Sequence, residues 1–361
     1  MTAKTFLKSL FARIGGVNRA PAQPRRVKLN LEDLEERMVP SAGSLLIHAV
    51  TDVNNFSVVV YRNPQDGGLY MRDPYWGTHQ LLGAASSGGG PLQSFSVGLD
   101  VDGYADVWVK ASDTSLWEWR YWTGWEEVCG PLRNVGAFAA VKGDRVYFGE
   151  GDGSLWGFAR GVGFYQLDGA GAVASADGSI DAVTDNFGQD AVFAVRPLSG
   201  SLFPGYFGEY YNGGYQFLVG ATVTPVGFSA GALQYVSNGI TPFGFSAGVD
   251  LTGHADVYDI ANDGSLWEHN SYFGWRELDA NPGAVTQLSA TSNDEVYVLT
   301  DHGHALNVYN QNGTEFNLLI SSFIEISAAN NNDVYTAIAD GTGLEVTGGS
   351  WSIYAAHGTV R

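Results

Sequence analysis

The sequence contains few of the residues that support disulfides, ionic surfaces or helices. Cys129 is the single cysteine among 361 residues, so a disulfide within the chain is excluded. Charged residues make up only 16% of the chain, and 48 glycines interrupt any run long enough for a helix. Apolar residues instead alternate at a period of two, which is typical of β-strands. These features predict an all-β protein.

The pattern of a catalytic nucleophile is also missing. A Gly-x-Ser-x-Gly segment is absent, and Cys129 has no recognisable His or Asn context. Two acidic pairs, Glu126 with Glu127 and Asp181 with Asp185, have the residue type that glycoside hydrolases use. The sequence does not show that either pair converges on a substrate. We therefore expect a protein that is not an enzyme.

Metal ligands are equally sparse. His302 and His304 are the only close pair of histidines, and no third ligand lies near them in the sequence. Asp100, Asp102 and Asp106 begin like a calcium loop, but the glycine and the final glutamate of an EF-hand are missing. We predict no metal and no cofactor, and a calcium site of looser geometry stays open.

Long hydrophobic runs are absent from the first 43 residues. No apolar stretch there reaches the roughly 7–15 residues of a secretory signal, so a conventional signal peptide is not expected and a transmembrane helix is excluded. This segment has eight Lys/Arg and four Asp/Glu, whereas the rest of the chain has 11 basic and 34 acidic residues, a net charge of about −23. A surface with this negative charge repels phosphate backbones and anionic lipid. We therefore expect neither nucleic acid as a partner of the propeller nor insertion into a membrane.

Internal repetition is the main positive signal. Residues 95–129 and 245–279 match at 17 of 35 positions without a gap. A unit of this size cannot bury its own apolar face and must stack on neighbouring copies. We therefore expect a repeat protein whose function lies on the surface that the stacked copies present.

The core of the unit is an aliphatic run, a tight turn and a Leu-aromatic pair, and it recurs in seven copies. The copies centre on Leu69, Leu116, Leu155, Leu202, Leu266, Leu306 and Leu344. Most of these leucines follow a turn pair that ends in glycine, such as Asp152-Gly153, and Asp113-Thr114 is the one variant. Asx-Gly between apolar runs is the strongest short hairpin signal, because the favoured turn needs positive φ at both central residues. Each copy is predicted to be a β-meander.

The second copy shows the strands of one unit. Its pattern predicts strands at Phe95 to Leu99, Ala105 to Ala111, Ser115 to Tyr121 and Trp125 to Gly130. Four short antiparallel strands in about 40–45 residues form the blade of a β-propeller. We predict that residues 44–358 form such a propeller of seven blades, with six or eight as alternatives. Either Ser44 to Val50 or Trp351 to Ala355 is expected to supply the closing strand, and residues 1–43 to form a flexible or partly helical leader.

A short motif stands immediately before the predicted propeller. Residues 29–42, LNLEDLEERMVPSA, resemble the LExLExRxxPS segment found near the N-termini of many large planctomycete surface and exported proteins. The matching residues are Leu31, Glu32, Leu34, Glu35, Arg37, Pro40 and Ser41. This resemblance implies an exported or envelope-associated protein, and a solvated amphipathic linker helix is the alternative.

The repeats resemble a lectin family. ADVWVKASDTSLWEWRYWTGWEEVCG and ADVYDIANDGSLWEHNSYFGWRELDA are similar to blades of the PLL-type seven-bladed lectins and their tectonin-like relatives. The match rests on Asp106, Val107, Asp113, Leu116, Trp117, Trp125 and Glu127, and on their counterparts Asp256, Val257, Asp263, Leu266, Trp267, Trp275 and Glu277. The resemblance is close over about a fifth of the chain. It implies sugar binding in clefts between adjacent blades, although such a likeness indicates the fold better than the ligand.

Aromatic residues that vary between the copies are the candidate ligand-binding groups. A sugar ring sits with its C–H groups against Trp or Tyr faces, while its hydroxyls seek carboxylates, amides and Arg. Trp117 and Trp267 are constant between copies, so we expect them to pack between blades. The candidate carbohydrate-binding residues are Glu118, Trp119, Arg120 and Trp122 in the second copy and Glu268, His269, Asn270 and Tyr272 in the fifth. Weaker candidates of the same kind are Tyr75 and Trp76 in the first copy and the tyrosines from Tyr206 to Tyr215 in the fourth.

Three functions are compatible with these features. The leading hypothesis is non-enzymatic carbohydrate binding by a monomeric propeller, with glycans or a cell-envelope polysaccharide as partners. The second is a structural or protein-interaction scaffold on the cell surface, which the unevenness of the copies favours. The third is a propeller enzyme that acts on polysaccharide.

Overall fold

The computed structural model describes strands from Ile47 to Ala355, with gaps between them. The described residues are 47–63, 66–83, 91–171, 173, 180–197, 204–211, 214–217, 245–260, 265–270, 274–279, 285, 287–291, 295–300, 305–310, 313–319, 323–330, 333–338, 343–347 and 350–355. One 3₁₀ turn, Pro131–Arg133, is found in these ranges. Within them, no helix has the length and apolar character needed to cross a bilayer.

The described strands form seven four-stranded sheets, and each sheet consists of four consecutive strands in chain order. Sheet 1 contains β1 (Ile47–Thr51), β2 (Ser57–Arg62), β3 (Leu69–Asp73) and β4 (Gly77–Leu82). Sheet 2 contains β5 (Leu92–Leu99), β6 (Ala105–Ala111), β7 (Leu116–Arg120) and β8 (Gly124–Cys129). Sheet 3 contains β9 (Val135–Val141), β10 (Arg145–Glu150), β11 (Leu155–Ala159) and β12 (Gly163–Asp168).

The remaining sheets repeat this order. Sheet 4 contains β13 (Ile180–Thr184), β14 (Asp190–Pro197), β15 (Pro204–Tyr211) and β16 (Gly214–Phe217). Sheet 5 contains β17 (Phe245–Val249), β18 (Ala255–Ile260), β19 (Leu266–Asn270) and β20 (Gly274–Asp279). Sheet 6 contains β21 (Gln287–Ala290), β22 (Glu295–Thr300), β23 (Ala305–Asn310) and β24 (Gly313–Leu319), and sheet 7 contains β25 (Phe323–Ala328), β26 (Asp333–Ile338), β27 (Gly343–Thr347) and β28 (Ser350–Ala355).

The core lies between neighbouring sheets. All seven residues of β6 are buried, because a sheet that packs on both faces hides every side chain of its central strands. Val60 and Met71 of sheet 1 pack with Val97 and Val107 of sheet 2 in one such layer. Burial on both faces explains why the strands carry long apolar runs.

The innermost strands, which begin each sheet, contact one another around a closed ring. β1 contacts both β5 and β25, so the first sheet lies beside the last. At this junction Ile47 N–H donates to Glu325 Oε1 at 3.2 Å and Ala49 N–H donates to Ser327 Oγ at 2.9 Å. The described part of the segment Ser44 to Val50 lies in β1, and Trp351 to Ala355 lies in β28 of sheet 7. Each sheet is therefore complete by itself, and the ring closes through contacts between β1 and β25.

These observations confirm the predicted all-β propeller of four-stranded antiparallel blades. The four strands predicted in the second copy correspond to β5, β6, β7 and β8. The predicted core leucines Leu69, Leu116, Leu155, Leu266 and Leu306 are each at most 1% exposed. Leu202, residues 29–42 and the side chains of Leu344 and of the Tyr206 to Tyr215 group lie outside the described residues.

The turns before the Leu-aromatic pair have the predicted positive φ at the glycine, but Asp66 and Asp152 before it do not, so the prediction of positive φ at both central residues is wrong. Gly67 and Gly153 have φ values of 66° and 79°. Thr114 occupies the corresponding place in sheet 2 with a φ of 71°, in the left-handed region that β-branched residues rarely adopt. The repeat therefore imposes a glycine conformation on a threonine in this sheet.

Two of the three turns in each sheet lie at the same end of the propeller, because antiparallel strands in chain order alternate in direction. We call this end the turn face; it carries the connections from first to second and from third to fourth strand. Neighbouring sheets are joined there, since Val53 N–H donates to Gly103 O and Asn186 N–H donates to Gly253 O. Surface features of several sheets are thus gathered at one end.

Candidate functional site

Corresponding turns of sheets 1 and 2 each carry a Tyr-Trp pair on the turn face. Tyr75 and Trp76 precede Gly77 in the β3–β4 turn, and Tyr121 and Trp122 occupy the β7–β8 turn. Gly77 has a φ of 71°, as a tight turn requires. The two adjacent sheets therefore present matching aromatic turns.

The rings of these turns contact one another across the junction. The aromatic cluster comprises Trp76, Tyr104, Trp119, Tyr121 and Trp122 with the adjoining His79. We include Tyr75, whose ring pairs with Phe56, because it lies in the same turn as Trp76. The ring centroids of Trp76 and Tyr121 lie 5.9 Å apart, and those of Tyr121 and Trp122 lie 5.7 Å apart. Tyr104 contacts both Tyr121 and Trp122. Tyr121 therefore links rings from both sheets.

Asp73 holds the aromatic cluster together. Its Oδ1 accepts hydrogen bonds from Tyr75 N–H at 2.6 Å and from Trp76 N–H at 3.4 Å. Its Oδ2 accepts a hydrogen bond from the Tyr121 hydroxyl at 3.3 Å. Burial raises the pKa of Tyr121 above its ordinary value, and the charge of Asp73 adds to this shift. One carboxylate thus fixes the turn of sheet 1 and joins it to sheet 2.

Several rings of the cluster remain open to solvent. Tyr75, Trp76 and Trp122 are 62%, 65% and 70% exposed. Trp119 and Tyr121 are half-buried. Trp125 Nε1–H of sheet 2 donates a hydrogen bond to Leu81 O of sheet 1 at 2.9 Å. Large aromatic side chains rarely stay this exposed without a partner. The arrangement is a rigid apolar surface with a hydrogen-bonded base.

The structure thus brings together the rings of Trp76, Trp119 and Trp122, which the sequence predicts from two separate copies, whereas the ring of Tyr75 pairs with Phe56. It also adds Asp73, Tyr104 and Tyr121. The sequence pattern from which Tyr121 could have been identified is the Tyr-Trp pair that the corresponding turns of sheets 1 and 2 share. Asp73 and Tyr104 have no signal of this kind, since their role depends on contacts between sheets.

Glu118 and Arg120 lie on a different side of sheet 2, at its junction with sheet 3. Glu118 is fully buried and forms an ion pair with Arg160 of sheet 3. Arg120 lies 3.8 Å from both Glu118 and Asp144. These two predicted candidates therefore belong to an ionic cluster and not to the aromatic surface.

The corresponding residues of sheet 5 are also largely enclosed. Glu268 is buried and pairs with Arg276. His269 is half-buried, and burial lowers its pKa to about 4. Tyr272 and the side chain of Asn270 lie outside the described residues.

The constant tryptophans have a hydrogen-bonded role that the sequence does not reveal. Trp117 Nε1–H donates to Ser115 Oγ, and that hydroxyl donates to Asp113 Oδ1. The same relay runs from Trp156 through Ser154 to Asp152. Trp267 donates to Ser265 Oγ and is 7% exposed, in agreement with the predicted packing role.

Of the two acidic pairs considered for acid–base chemistry, Asp181 and Asp185 accept hydrogen bonds from backbone groups, and Glu126 of the other pair lies beside Arg120 and Arg160. Asp181 accepts hydrogen bonds from the N–H groups of Ala182 and Ala247. Asp185 Oδ1 accepts from the N–H groups of Phe187 and Gln189 in a tight turn. Asp100 caps its own turn in the same way, which accounts for the calcium-like spacing around it.

No family model matches the chain, and no curated protein matches it. Solved structures with the same overall fold include a virginiamycin B lyase from Staphylococcus aureus, which is 9% identical, with 81% of this chain and 90% of that chain covered and a TM-score of 0.52. U3-55K is 11% identical with a TM-score of 0.53, covering 83% of this chain and 89% of that chain. The RRP9 WD40 repeats are 10% identical with a TM-score of 0.51, covering 83% and 88%. At these identities the likeness shows the propeller fold alone.

Proposed function

We propose that the protein is a non-enzymatic carbohydrate-binding propeller and that the aromatic cluster between sheets 1 and 2 is its binding surface. The observation that carries this proposal is the convergence of Trp76 and Trp122, both exposed, on the half-buried Tyr121. Flat, rigid rings offer large contact areas at little entropic cost. A pyranose presents C–H groups that fit such rings.

Polar groups at the edge of the cluster complete a sugar site. Asn54 and Asp102 lie exposed in the neighbouring turns of the same face, and His79 contacts Trp119. Such groups can bind hydroxyls while the rings bind the apolar face of the sugar. The chain carries a net charge of −19, so neutral glycans are expected to bind better than anionic ones.

Glycan-array binding followed by calorimetry with the best oligosaccharide tests this proposal. Trp122→Ala should weaken binding at least tenfold, about 1.4 kcal/mol, with little change in stability because the ring is 70% exposed. Phe187→Ala is the matched control, since Phe187 is 60% exposed on the turn face but lies outside the aromatic cluster. Absence of glycan binding, or equal affinities of both variants and the parent protein, would refute the proposal.

Protein interaction is the second candidate function, and the distribution of exposed hydrophobic side chains favours it. Of the nine large hydrophobic residues exposed in the described part, eight lie in connections of the turn face: Val53, Tyr75, Trp76, Val101, Trp122, Val162, Phe187 and Leu251. An apolar face of this kind marks a contact surface. In cross-linking, a Phe187→Ser/Leu251→Ser variant should lose its protein partner, and its glycan affinity should stay unchanged. If sugar is the ligand of the aromatic cluster, Trp122→Ala should lose glycan affinity and keep the protein partner.

We also propose, from the resemblance of residues 29–42, that the protein is exported or associated with the cell envelope. Cell fractionation of the native host tests this, and recovery with cytosolic markers would refute it. The absence of catalytic activity is tested separately: release of reducing sugar from a bound polysaccharide would show that the propeller is an enzyme.

A further inference from the structure

Three buried carboxylates converge at the junction of sheets 2 and 3. Asp106 is in β6, Glu118 is in β7, and Asp144 is in the turn between β9 and β10. One oxygen from each lies within 4.8 Å of the others, and the three residues are at most 2% exposed. We call these residues the carboxylate triad.

The surrounding cations do not balance the carboxylates. Arg120 and Arg160 are the guanidinium groups paired with Glu118 and Asp144, and both also approach Glu126. Asp100 adds a further negative charge that acts on Asp106 and Asp144. Four buried carboxylates and the half-exposed Glu126 thus share two arginines, and uncompensated charge is costly where it is buried.

Each member of the triad has one oxygen without a hydrogen-bond partner. Asp106 Oδ2 accepts from Trp108 Nε1–H at 2.9 Å, but its Oδ1 has no partner. The same holds for Glu118 Oε1 and Asp144 Oδ1, whereas their second oxygens face the arginines. Nε of Arg120 and Nε of Arg160 also have no hydrogen-bond partner, so the cluster holds two unsatisfied donors beside three unsatisfied acceptors. Buried polar atoms are almost always satisfied, and the three acceptor oxygens indicate a missing cationic ligand.

The backbone of β5 passes close to the orphan oxygen of Asp106. Gly98 pairs with Asp106 across β5 and β6. A Cβ at Gly98 would lie 2.8 Å from Asp106 Oδ1 and 2.5 Å from Val141 O. A side chain at this position would therefore clash with both oxygens, and glycine lets β5 pass close to the carboxylate and to the carbonyl of the next sheet.

We propose that the carboxylate triad binds a hard divalent cation, Ca²⁺ in the first instance, between sheets 2 and 3. Oxygen-only donors select Ca²⁺, Mg²⁺ or Mn²⁺ over Zn²⁺, which prefers nitrogen and sulfur ligands. The ion binds the three oxygens that have no partner, while the arginines stay paired with the second oxygens of Glu118 and Asp144. Arg120, Arg160 and the half-exposed Glu126 lie between the triad and solvent, where they control entry.

Sheet 5 provides a natural comparison. Asp256 and Glu268 occupy the places of Asp106 and Glu118, and Gly248 stands opposite Asp256 as Gly98 does opposite Asp106. In the described residues, three carboxylates that could hold an ion meet at the sheet 2 junction alone. The third carboxylate, Asp144, is thus what distinguishes the proposed site.

Terbium luminescence and thermal unfolding test the proposal on the full chain. The indole of Trp108 touches the triad, so bound Tb³⁺ should be sensitised by tryptophan excitation, and Ca²⁺ should displace it. Ca²⁺ at a hundredfold excess over its Kd should raise Tm by about 4 °C, whereas NaCl of equal ionic strength should not.

Asp144→Asn should lower the affinity for Tb³⁺ and Ca²⁺ at least tenfold, with unchanged far-ultraviolet circular dichroism as the check of folding. Glu268→Gln in sheet 5 is the matched control and should retain both affinities. Lack of Tb³⁺ luminescence and of any Ca²⁺ effect on Tm would overturn the proposal. Binding that survives Asp144→Asn would also overturn it, because the ion would then occupy other acidic groups.

Discussion

Ser327 Oγ accepts a hydrogen bond from Ala49 N–H at 2.9 Å and so joins the last sheet to the first. The same link recurs between Ser96 and Ala140, Ser246 and Ala290, and Ser289 and Ala328. In each case a serine of one innermost strand accepts from the backbone of the next. The ring is thus held by side-chain acceptors at one repeated position.

Ala139 occupies this position in sheet 3 and offers no acceptor. The backbone N–H of Ala182 in sheet 4 bonds instead to the carboxylate of its own neighbour, Asp181, at 2.8 Å. Ala139→Ser should supply the missing link and raise the free energy of unfolding by about 0.5–1 kcal/mol. Urea unfolding measures the change; Ala137→Ser, two residues earlier on the same strand, is the control and should destabilise. A loss of stability in Ala139→Ser would contradict the role assigned to this position.

His48 takes the serine position in sheet 1, where its Nδ1 accepts from Val97 N–H at 3.4 Å. Burial lowers the pKa of His48 to about 4, below the ordinary value of 6.5. The unfolded chain therefore binds the extra proton first, and stability falls as the pH drops from 6.5 to 4. His48→Ser should keep the acceptor and remove this part of the acid sensitivity. Urea unfolding at pH 7 and pH 5 measures the free energy of unfolding of both proteins. Between these pH values the variant should lose less of it than the parent protein, and equal losses would contradict the role of His48.

Asp259 stands in sheet 5 where the repeat places Val109 in sheet 2. It is 1% exposed, and its Oδ2 has no hydrogen-bond partner. Burial raises the pKa of Asp259 to about 8, so the folded protein takes up a proton between about pH 4 and pH 8 and loses stability as the pH rises through that window.

Asp259→Val should therefore stabilise the protein by about 2–3 kcal/mol at pH 8 and by less at pH 5. Urea unfolding of both proteins at the two pH values measures the difference. Asp259→Asn, which removes the charge and keeps the polarity, should flatten the pH dependence with a smaller gain. A gain that is the same at both pH values would show that the carboxyl is not protonated in the folded state.

Thr114 has a φ of 71° and a weak hydrogen bond from Oγ1 to Pro131 O at 3.3 Å. A left-handed conformation costs a residue with a Cβ about 1–2 kcal/mol. Thr114→Gly should raise the free energy of unfolding by about 0.5–1 kcal/mol after the entropy cost of glycine. Calorimetric Tm values measure this, and Thr114→Ala, which retains the strained backbone, should not reproduce the gain.

Local patterns in the sequence account for the strands, the turns and the propeller architecture. Asp152-Gly153 and its counterparts determine a backbone conformation within a few residues, and Leu116 and Leu155 recur where each sheet needs a buried contact. The period-two alternation and the repeat frame depend on neighbours in the chain, so they can be read without coordinates. Tyr75, Trp76 and Trp122 could be selected from the sequence because they vary between the copies, but their exposure could not be predicted from it.

Contacts between sheets could not be read in this way. Asp73 and Tyr121 are 48 residues apart in the chain, and Glu118 and Arg160 are 42 apart, yet each pair meets at a junction. Glu118 and Trp119 are adjacent in sequence but point to opposite faces of β7, since successive strand residues alternate. One therefore enters the ionic cluster at sheet 3 and the other the aromatic cluster at sheet 1. Only the packing of each blade against its two neighbours separated these roles.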